Sequence, residues 1–196
     1  MWKNRLLAST EEFKHPAWGV SHSQRVYELS LQLAMEPGID VDQDALFAAA
    51  YLHDMGAFEP YKRPGVDHAE RSVQVIEEIL DSVGFPLDRT SLVKDIIRGH
   101  MFYANPAPQI EAVIFHDADV LDFMGAIGVA RLLSIVGLDD WTPDLKSAIE
   151  LIQRFSQELP EKLHTTQAQQ MGKVRRAEMK AFLTSLSKET RNFNVL

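Results

Sequence analysis

The sequence predicts an all-α fold. Between its Pro and Gly residues, apolar side chains recur three and four positions apart, the spacing that places them on one face of a helix. Alternating stretches rich in β-branched residues, which would indicate strands, are few. A chain of 196 residues is long enough to bury one sizeable core. We therefore expect a single helical domain over residues 1–196, with its core at about 15–136 and C-terminal helices at about 142–191 packed on that core.

Local start and stop signals divide the chain into predicted helices. Pro37 and Gly38 should end the second helix, and Gly84 the fourth. Asp67 and Glu70 form the D-x-x-E pattern of a helix start. The predicted helices cover residues 3–14, 21–36, 42–54, 68–83, 88–101, 109–115, 118–136, 144–159 and much of 160–191.

The remaining Pro, Gly and polar residues predict two helix caps and four loops. Thr142 and Pro143 have the residue types of a helix N-cap and first helical position, and Asp117 is expected to cap the helix at 118–136. The expected loops are residues 37–41, 55–66, 103–108 and 138–141.

Composition limits the function. A formal net charge of −8 opposes nonspecific binding to long nucleic acids. A small phosphorylated substrate could still bind, because a local cation can outweigh a distant acidic surface. No apolar run reaches the length of a membrane span, and no signal peptide is recognisable, so we expect no membrane association. The absence of cysteine fits a cytoplasmic protein and restricts metal ligands to His, Asp and Glu. The sequence leaves a homodimer open.

His53 and Asp54 are the most informative pair, because they follow the apolar run at 45–52 and so lie at a helix end. With His22 near the start of one predicted helix and Asp119 near the start of another, they could form one compact metal site. Two imidazoles and two carboxylates suit Mn²⁺, Fe²⁺, Ni²⁺, Co²⁺ or Zn²⁺ better than Mg²⁺. Such an ion would activate water and polarise a phosphoryl oxygen.

Three stretches, SHSQRV at 21–26, LHD at 52–54 and DADVLD at 117–122, resemble the H…HD…D signature of the HD-domain metal-dependent phosphohydrolases. LDFMGAIGVAR at 121–131 is similar to the LDxxGAIGIAR stretch of a bacterial subgroup, and EKL at 161–163 and RRAEM at 175–179 resemble its last helices. The resemblance covers roughly residues 15–190. It implies that His22, His53, Asp54 and Asp119 are the metal ligands.

The same resemblance implies cleavage of phosphomonoester, phosphodiester or pyrophosphate bonds, with nucleoside triphosphates as substrates of some relatives. We therefore expect hydrolysis of a small phosphorylated metabolite, most simply a nucleoside triphosphate cut to monophosphate and pyrophosphate. The resemblance also leaves a two-metal phosphodiesterase, a nucleotide- or metal-sensing protein without turnover, and a di-iron oxygenase open as alternatives.

Further residues are candidates for the chemistry. Arg25 lies three positions after His22 on the same helix face, and Lys62 and Arg63 lie on the loop that follows Asp54, so all three could contact phosphate. Arg131 could do the same or act as a structural cation.

Four candidates have a plain structural alternative. His68 and His100 lie between the His-Asp pair and Asp119 and could line the substrate site or, in a two-metal protein, bind metal; otherwise they occupy helix ends. Glu70 could act as general base or orient water, but also suits a helix cap. Asp122 could orient a metal-bound histidine, or it could simply be an acidic residue on the surface of a helix.

His116 and Asp117 form a second His-Asp pair. We expect His116 to lie on the surface or beside the ligands, because no upstream histidine accompanies the pair at the proper distance.

Overall fold

The chain folds into nine α-helices over the residues that the computed structural model describes, 1–36 and 38–196, and no β-strand occurs among them. The predicted all-α class is confirmed. In chain order the helices are α1 (Trp2–Thr10), α2 (Val20–Leu33), α3 (Gln43–Leu52), α4 (His68–Val83), α5 (Thr90–Arg98), α6 (Ile110–Asp122), α7 (Gly125–Ser134), α8 (Leu145–Glu158) and α9 (Thr166–Glu189). Short 3₁₀ turns cover Met55–Ala57, Leu87–Arg89 and Leu159–Lys162.

The chain divides into two compact units, Met1–Asp119 and Val120–Leu196. In the first, α3 packs against α1, α2 and α5, and α4 packs against α5. Helix α3 is apolar on nearly all sides, as expected for a helix enclosed by others. The ring of Trp2 meets Phe47 and Phe85 edge to face and so ties α1 to the rest of the unit.

Helix α4 begins and ends where the sequence predicts. One carboxylate oxygen of Asp67 accepts the backbone N–H groups of Ala69 and Glu70, which would otherwise lack partners at the helix start. Gly84 ends the helix with φ of +75°, a conformation that favours glycine.

The predicted boundary at residues 115–118 is wrong. Helix α6 runs without interruption from Ile110 to Asp122, so Asp117 is a buried residue inside it and not a cap. Asp119 therefore lies close to the end of a helix, not near its start. The interruption comes later, where Gly125 adopts φ of +73° before α7 continues.

In the second unit α7, α8 and α9 pack against one another. Asp144 caps α8 by accepting the N–H of Ser147, so the prediction of Thr142 as the cap is wrong. The hydroxyl of Thr142 donates instead to the carbonyl of Ile135. Within this unit a buried ion pair joins Arg131 and Asp122 at 2.9 Å.

Other predicted ends are displaced by a few residues. Helix α1 ends at Thr10 and α5 at Arg98, each before its predicted end. The predicted stop at Pro37 falls outside the described residues, whereas the neighbouring Gly38 has φ of +88°. Among the described helices, none combines the length and the apolar character that a membrane span requires.

Candidate metal centre

Three helices of the first unit bring the four predicted ligands together. His22 lies in the first turn of α2, His53 and Asp54 follow the last residue of α3, and Asp119 lies near the end of α6. Nε2 of His22 lies 3.1 Å from Nε2 of His53 and 3.3 Å from Oδ1 of Asp119, and Oδ2 of Asp54 lies 3.2 Å from Nε2 of His53. Donor atoms from His22, His53 and Asp119 all lie within 4.8 Å of one another.

The imidazole of His53 is held in one orientation. Its Nδ1 lies 2.9 Å from the carbonyl oxygen of Ala50, and because that oxygen only accepts, Nδ1 carries a proton. When Nε2 carries no proton, the ring therefore presents the lone pair of that atom to the cluster. Ser72 of α4 fixes the backbone on the other side: its hydroxyl donates to the carbonyl of His53 at 2.7 Å and accepts the N–H of Gly56 at 2.8 Å.

Asp119 provides the test of whether these residues suit a cation. Its side chain is buried, and among the described residues neither carboxylate oxygen makes a hydrogen bond of good geometry. A buried carboxylate normally requires hydrogen bonds, a cationic partner or a metal ion. Together with two imidazoles and Asp54, it forms the mixed nitrogen and oxygen donor set that suits a transition metal ion.

A second group of donors lies beside Asp54. While Oδ2 faces His53, Oδ1 lies 3.5 Å from Nε2 of His68 and 3.9 Å from Nε2 of His100. The Nε2 atoms of His68 and His100 are 3.4 Å apart. His100, like His53, donates Nδ1–H to a backbone carbonyl, that of Ile97 at 2.7 Å. Donor atoms of His53, Asp54 and His100 also lie within 4.8 Å of one another.

The HD domain family model matches residues 19–124, more than half of the chain and all six clustered residues. The chain belongs to the HD domain family.

Solved structures of other proteins share this HD fold. A predicted HD superfamily hydrolase from an uncultured Thermotogales bacterium is 26% identical, with a TM-score of 0.64, and the match covers 96% of this chain and 90% of that one. A Lactobacillus plantarum protein is 23% identical with a TM-score of 0.69, covering 96% and 94%. Bacillus subtilis YpgQ in complex with ADP is 21% identical with a TM-score of 0.67, covering 95% and 97%. A search of curated protein sequences finds no significant match.

Charges within the HD domain shift the pKa values of the cluster. Burial lowers the pKa of His53, but the adjacent carboxylate of Asp54 and that of Asp119 outweigh burial and raise it to about 9. Burial raises the pKa of Asp54, yet the surrounding imidazoles hold it well below the ordinary value. The pKa of Asp119 is likewise lowered, because His22 outweighs burial. For His100, burial and the neighbouring His53 lower the pKa to about 4.

The HD domain also contains four predicted site residues that are not among the six clustered ones: Arg25, Lys62, Arg63 and Glu70. Arg25 is partly buried on α2, one turn after His22, and Lys62 and Arg63 are exposed on the loop between Asp54 and His68. Glu70 does not join the cluster. Its carboxylate is half exposed, 3.7 Å from Arg98.

Asp122 and Arg131 lie in the second unit, where they pair with each other, and Arg131 is 3% exposed. The role predicted for Asp122, orienting a histidine ligand, remains a prediction.

Sequence reasoning missed two residues that make hydrogen bonds beside the cluster, Ser72 and Tyr103. Of the two positions expected for His116, the surface is excluded, because the side chain is buried and its Nδ1 donates to the carbonyl of Gly99 at 2.8 Å, just before His100. Tyr103 donates to Asp67 at 2.7 Å. The spacing of hydroxyl and imidazole groups in the sequence contains no signal for these tertiary contacts.

Proposed function

We propose that this HD domain is a metal-dependent phosphohydrolase that cleaves a nucleoside triphosphate between the α and β phosphates. The observation that carries the proposal is the convergence of His22, His53, Asp54 and Asp119, in which the buried carboxylate of Asp119 makes no hydrogen bond of good geometry with the described residues. When bound there, a divalent cation supplies a Lewis acid that lowers the pKa of water and polarises a phosphoryl oxygen.

The residues of the chain then have defined tasks. His53, fixed by Ala50, presents Nε2 without needing to reorient, and Asp54 and Asp119 supply negative charge from a buried position. Such preorganisation means that little reorganisation is needed when charge develops at phosphorus. The two carboxylates are negatively charged and repel a phosphate group. Binding of a phosphorylated substrate therefore requires cationic side chains nearby.

Lys62 and Arg63 are the cations that suit this task. The loop that carries them leaves the cluster after Asp54 and returns at His68, whose Nε2 is 3.5 Å from Asp54, so both loop ends lie at the site. Both side chains are exposed, and neither has a carboxylate partner within the described residues. They are therefore free to offset negative charge on distal phosphates.

Two comparisons support the proposal, one its reaction type and the other its substrate class. The Thermotogales relative is named a predicted hydrolase, and YpgQ, which shares the fold at 21% identity, was crystallised with ADP. An adenine nucleotide is thus compatible with this fold in that protein, and the proposal extends nucleotide binding to this chain.

A screen of nucleotides and phosphoesters tests the proposal. Metal-free protein is loaded with Mn²⁺, Co²⁺, Ni²⁺ or Mg²⁺, and orthophosphate and pyrophosphate are measured separately. We expect pyrophosphate from triphosphates, with Mn²⁺ or Co²⁺ better than Mg²⁺. Orthophosphate from monophosphates alone, or no product from any nucleotide, would show that the substrate assignment is wrong.

One observation favours a second candidate, a two-cation phosphodiesterase. Asp54 presents one oxygen to His53 and the other to His68 and His100, the arrangement of a carboxylate that could bridge two ions. A preference of the loaded protein for dinucleotides or cyclic nucleotides, together with two ions per chain, would select this candidate.

A further inference from the structure

We propose that Tyr103 is a positioning residue that fixes His68 opposite His100 by bonding to Asp67. The inference rests on the proposed function only for its effect on catalysis, since the geometry itself belongs to the metal-free protein. Tyr103 lies in the loop after α5 and its hydroxyl donates to Oδ2 of Asp67 at 2.7 Å, across 36 residues of sequence.

Asp67 is suited to transmit this contact because its two oxygens have different partners. Oδ1 accepts the N–H groups of Ala69 and Glu70 and so fixes the first turn of α4, while Oδ2 accepts the hydroxyl of Tyr103. His68, the first residue of α4, follows Asp67 directly. The hydrogen bond from Tyr103 therefore joins the loop after His100 to the helix end that carries His68.

The two histidines differ in how firmly they are held. His100 is fully buried, its Nδ1 donates to Ile97, and the adjacent carbonyl of Gly99 accepts from His116. The imidazole of His68 is partly exposed, and its Nδ1 lies 3.9 Å from Oδ2 of Asp67, too far for a hydrogen bond. Among the described residues, its Nε2 contacts only other members of the cluster, at 3.4 Å from His100 and 3.5 Å from Asp54. The backbone position of His68 therefore depends on the helix start and on the loop that Tyr103 ties to it.

The hydroxyl of Tyr103 remains a hydrogen-bond donor at neutral pH. Burial and the bond to Asp67 raise its pKa above the ordinary value, so the phenol keeps its proton throughout the neutral range. Asp67 is kept ionised, because the bond from Tyr103 and the nearby His68 outweigh burial and lower its pKa. A phenol donating to a carboxylate is a charge-assisted hydrogen bond, which is stronger and more directional than a neutral one.

Tyr103→Phe removes the hydroxyl and keeps the ring. In metal-free protein labelled at the histidine ring nitrogens, we expect the nuclear Overhauser effect between the rings of His68 and His100, whose centroids are 5.4 Å apart, to be lost or strongly weakened. Resonances of His53 should stay unchanged, because its ring is fixed separately by Ala50. Tyr61→Phe is the matched control, because among the described residues the Tyr61 hydroxyl has no hydrogen-bond partner.

Asp67→Ser tests whether Tyr103 acts on His68 through Asp67. Serine still caps a helix but lacks the second oxygen that reaches Tyr103. We expect this variant to reproduce the changes at His68, and the double variant to be no worse than either single one. In loaded enzyme, both variants should lower kcat/KM by up to about a hundredfold, the cost that a displacement of about 1 Å can have.

The outcomes separate the two proposals. An unchanged His68 spectrum in Tyr103→Phe overturns the positioning role, and so does a change that Asp67→Ser fails to reproduce. If the spectra change as expected while wild-type protein hydrolyses no nucleotide, the positioning role stands and the proposed substrate is wrong.

Discussion

Nε2 of His22 lies 3.1 Å from Nε2 of His53, and both rings are almost fully buried. Two lone pairs would repel at this distance, so a proton or a cation has to accompany the pair. Since Nδ1 of His53 already donates to Ala50, Nε2 is where the ring gains or loses a proton. In the absence of metal the pKa of His53, about 9, keeps the proton there at neutral pH.

Metal binding should therefore release a proton. A cation binds only neutral imidazole, so Mn²⁺ must displace the proton of His53, and affinity should fall about tenfold for each pH unit below 9 and level off above it. Titration calorimetry at pH 7 in buffers of different ionisation enthalpy should show about one proton released per chain. Binding without proton release would contradict the combination of a protonated His53 at neutral pH and a role for it as a ligand.

The number of ions depends on His100. With one ion held by His22, His53, Asp54 and Asp119, His100→Gln should leave about one Mn²⁺ per chain and raise KM for substrate. A second variant, His100→Asn, suits the test better because its Nδ2 takes the place of Nδ1 and can still donate to the carbonyl of Ile97, whereas no ligand atom replaces Nε2. Elemental analysis of metal-saturated protein is the measurement. Two ions in the wild type and one in the variant would establish the two-cation alternative.

Ser72→Ala should destabilise the protein by about 1–3 kcal/mol, because it leaves the buried carbonyl of His53 and the N–H of Gly56 without their partner. Ser82→Ala is the matched control on the same helix, since that hydroxyl only donates to the nearby carbonyl of Ile79. Urea unfolding of metal-free protein measures both. Equal effects of the two substitutions would contradict the role given to Ser72.

Charge reversal at Lys62 or Arg63 should raise KM for triphosphates more than KM for monophosphates. Lys62→Glu or Arg63→Glu should raise KM for a nucleoside triphosphate about tenfold, equivalent to one lost charge-assisted contact, and change KM for a monophosphate less. Lys173→Glu, on the exposed surface of α9, changes net charge equally and should leave both values unchanged. A similar rise for monophosphates would place the loop cations away from the distal phosphates.

The sequence predicted best where a local signal decides the structure. Helix α4 has its predicted bounds because Asp67 and Gly84 act on their own neighbours. The boundary at Asp117 was wrong because a polar residue resembles a cap in sequence even when it is buried inside α6.

The same distinction applies to the candidate site. Convergence of the four predicted ligands follows from motifs at helix ends, whereas the 3.4 Å approach of His68 to His100 depends on contacts between distant segments, such as Tyr103 to Asp67. No local pattern in the sequence indicates such contacts.

The most direct test of the account measures metal content and pyrophosphate release in the same samples. Metal-free protein is loaded stepwise with Mn²⁺ and given a nucleoside triphosphate, alongside Asp54→Ala and the exposed control Asp81→Ala. We predict that release rises in proportion to occupancy up to about one ion per chain, that Asp81→Ala behaves like wild type, and that folded Asp54→Ala retains neither metal nor activity. Full metal occupancy in Asp54→Ala, or turnover by metal-free protein, would contradict the account.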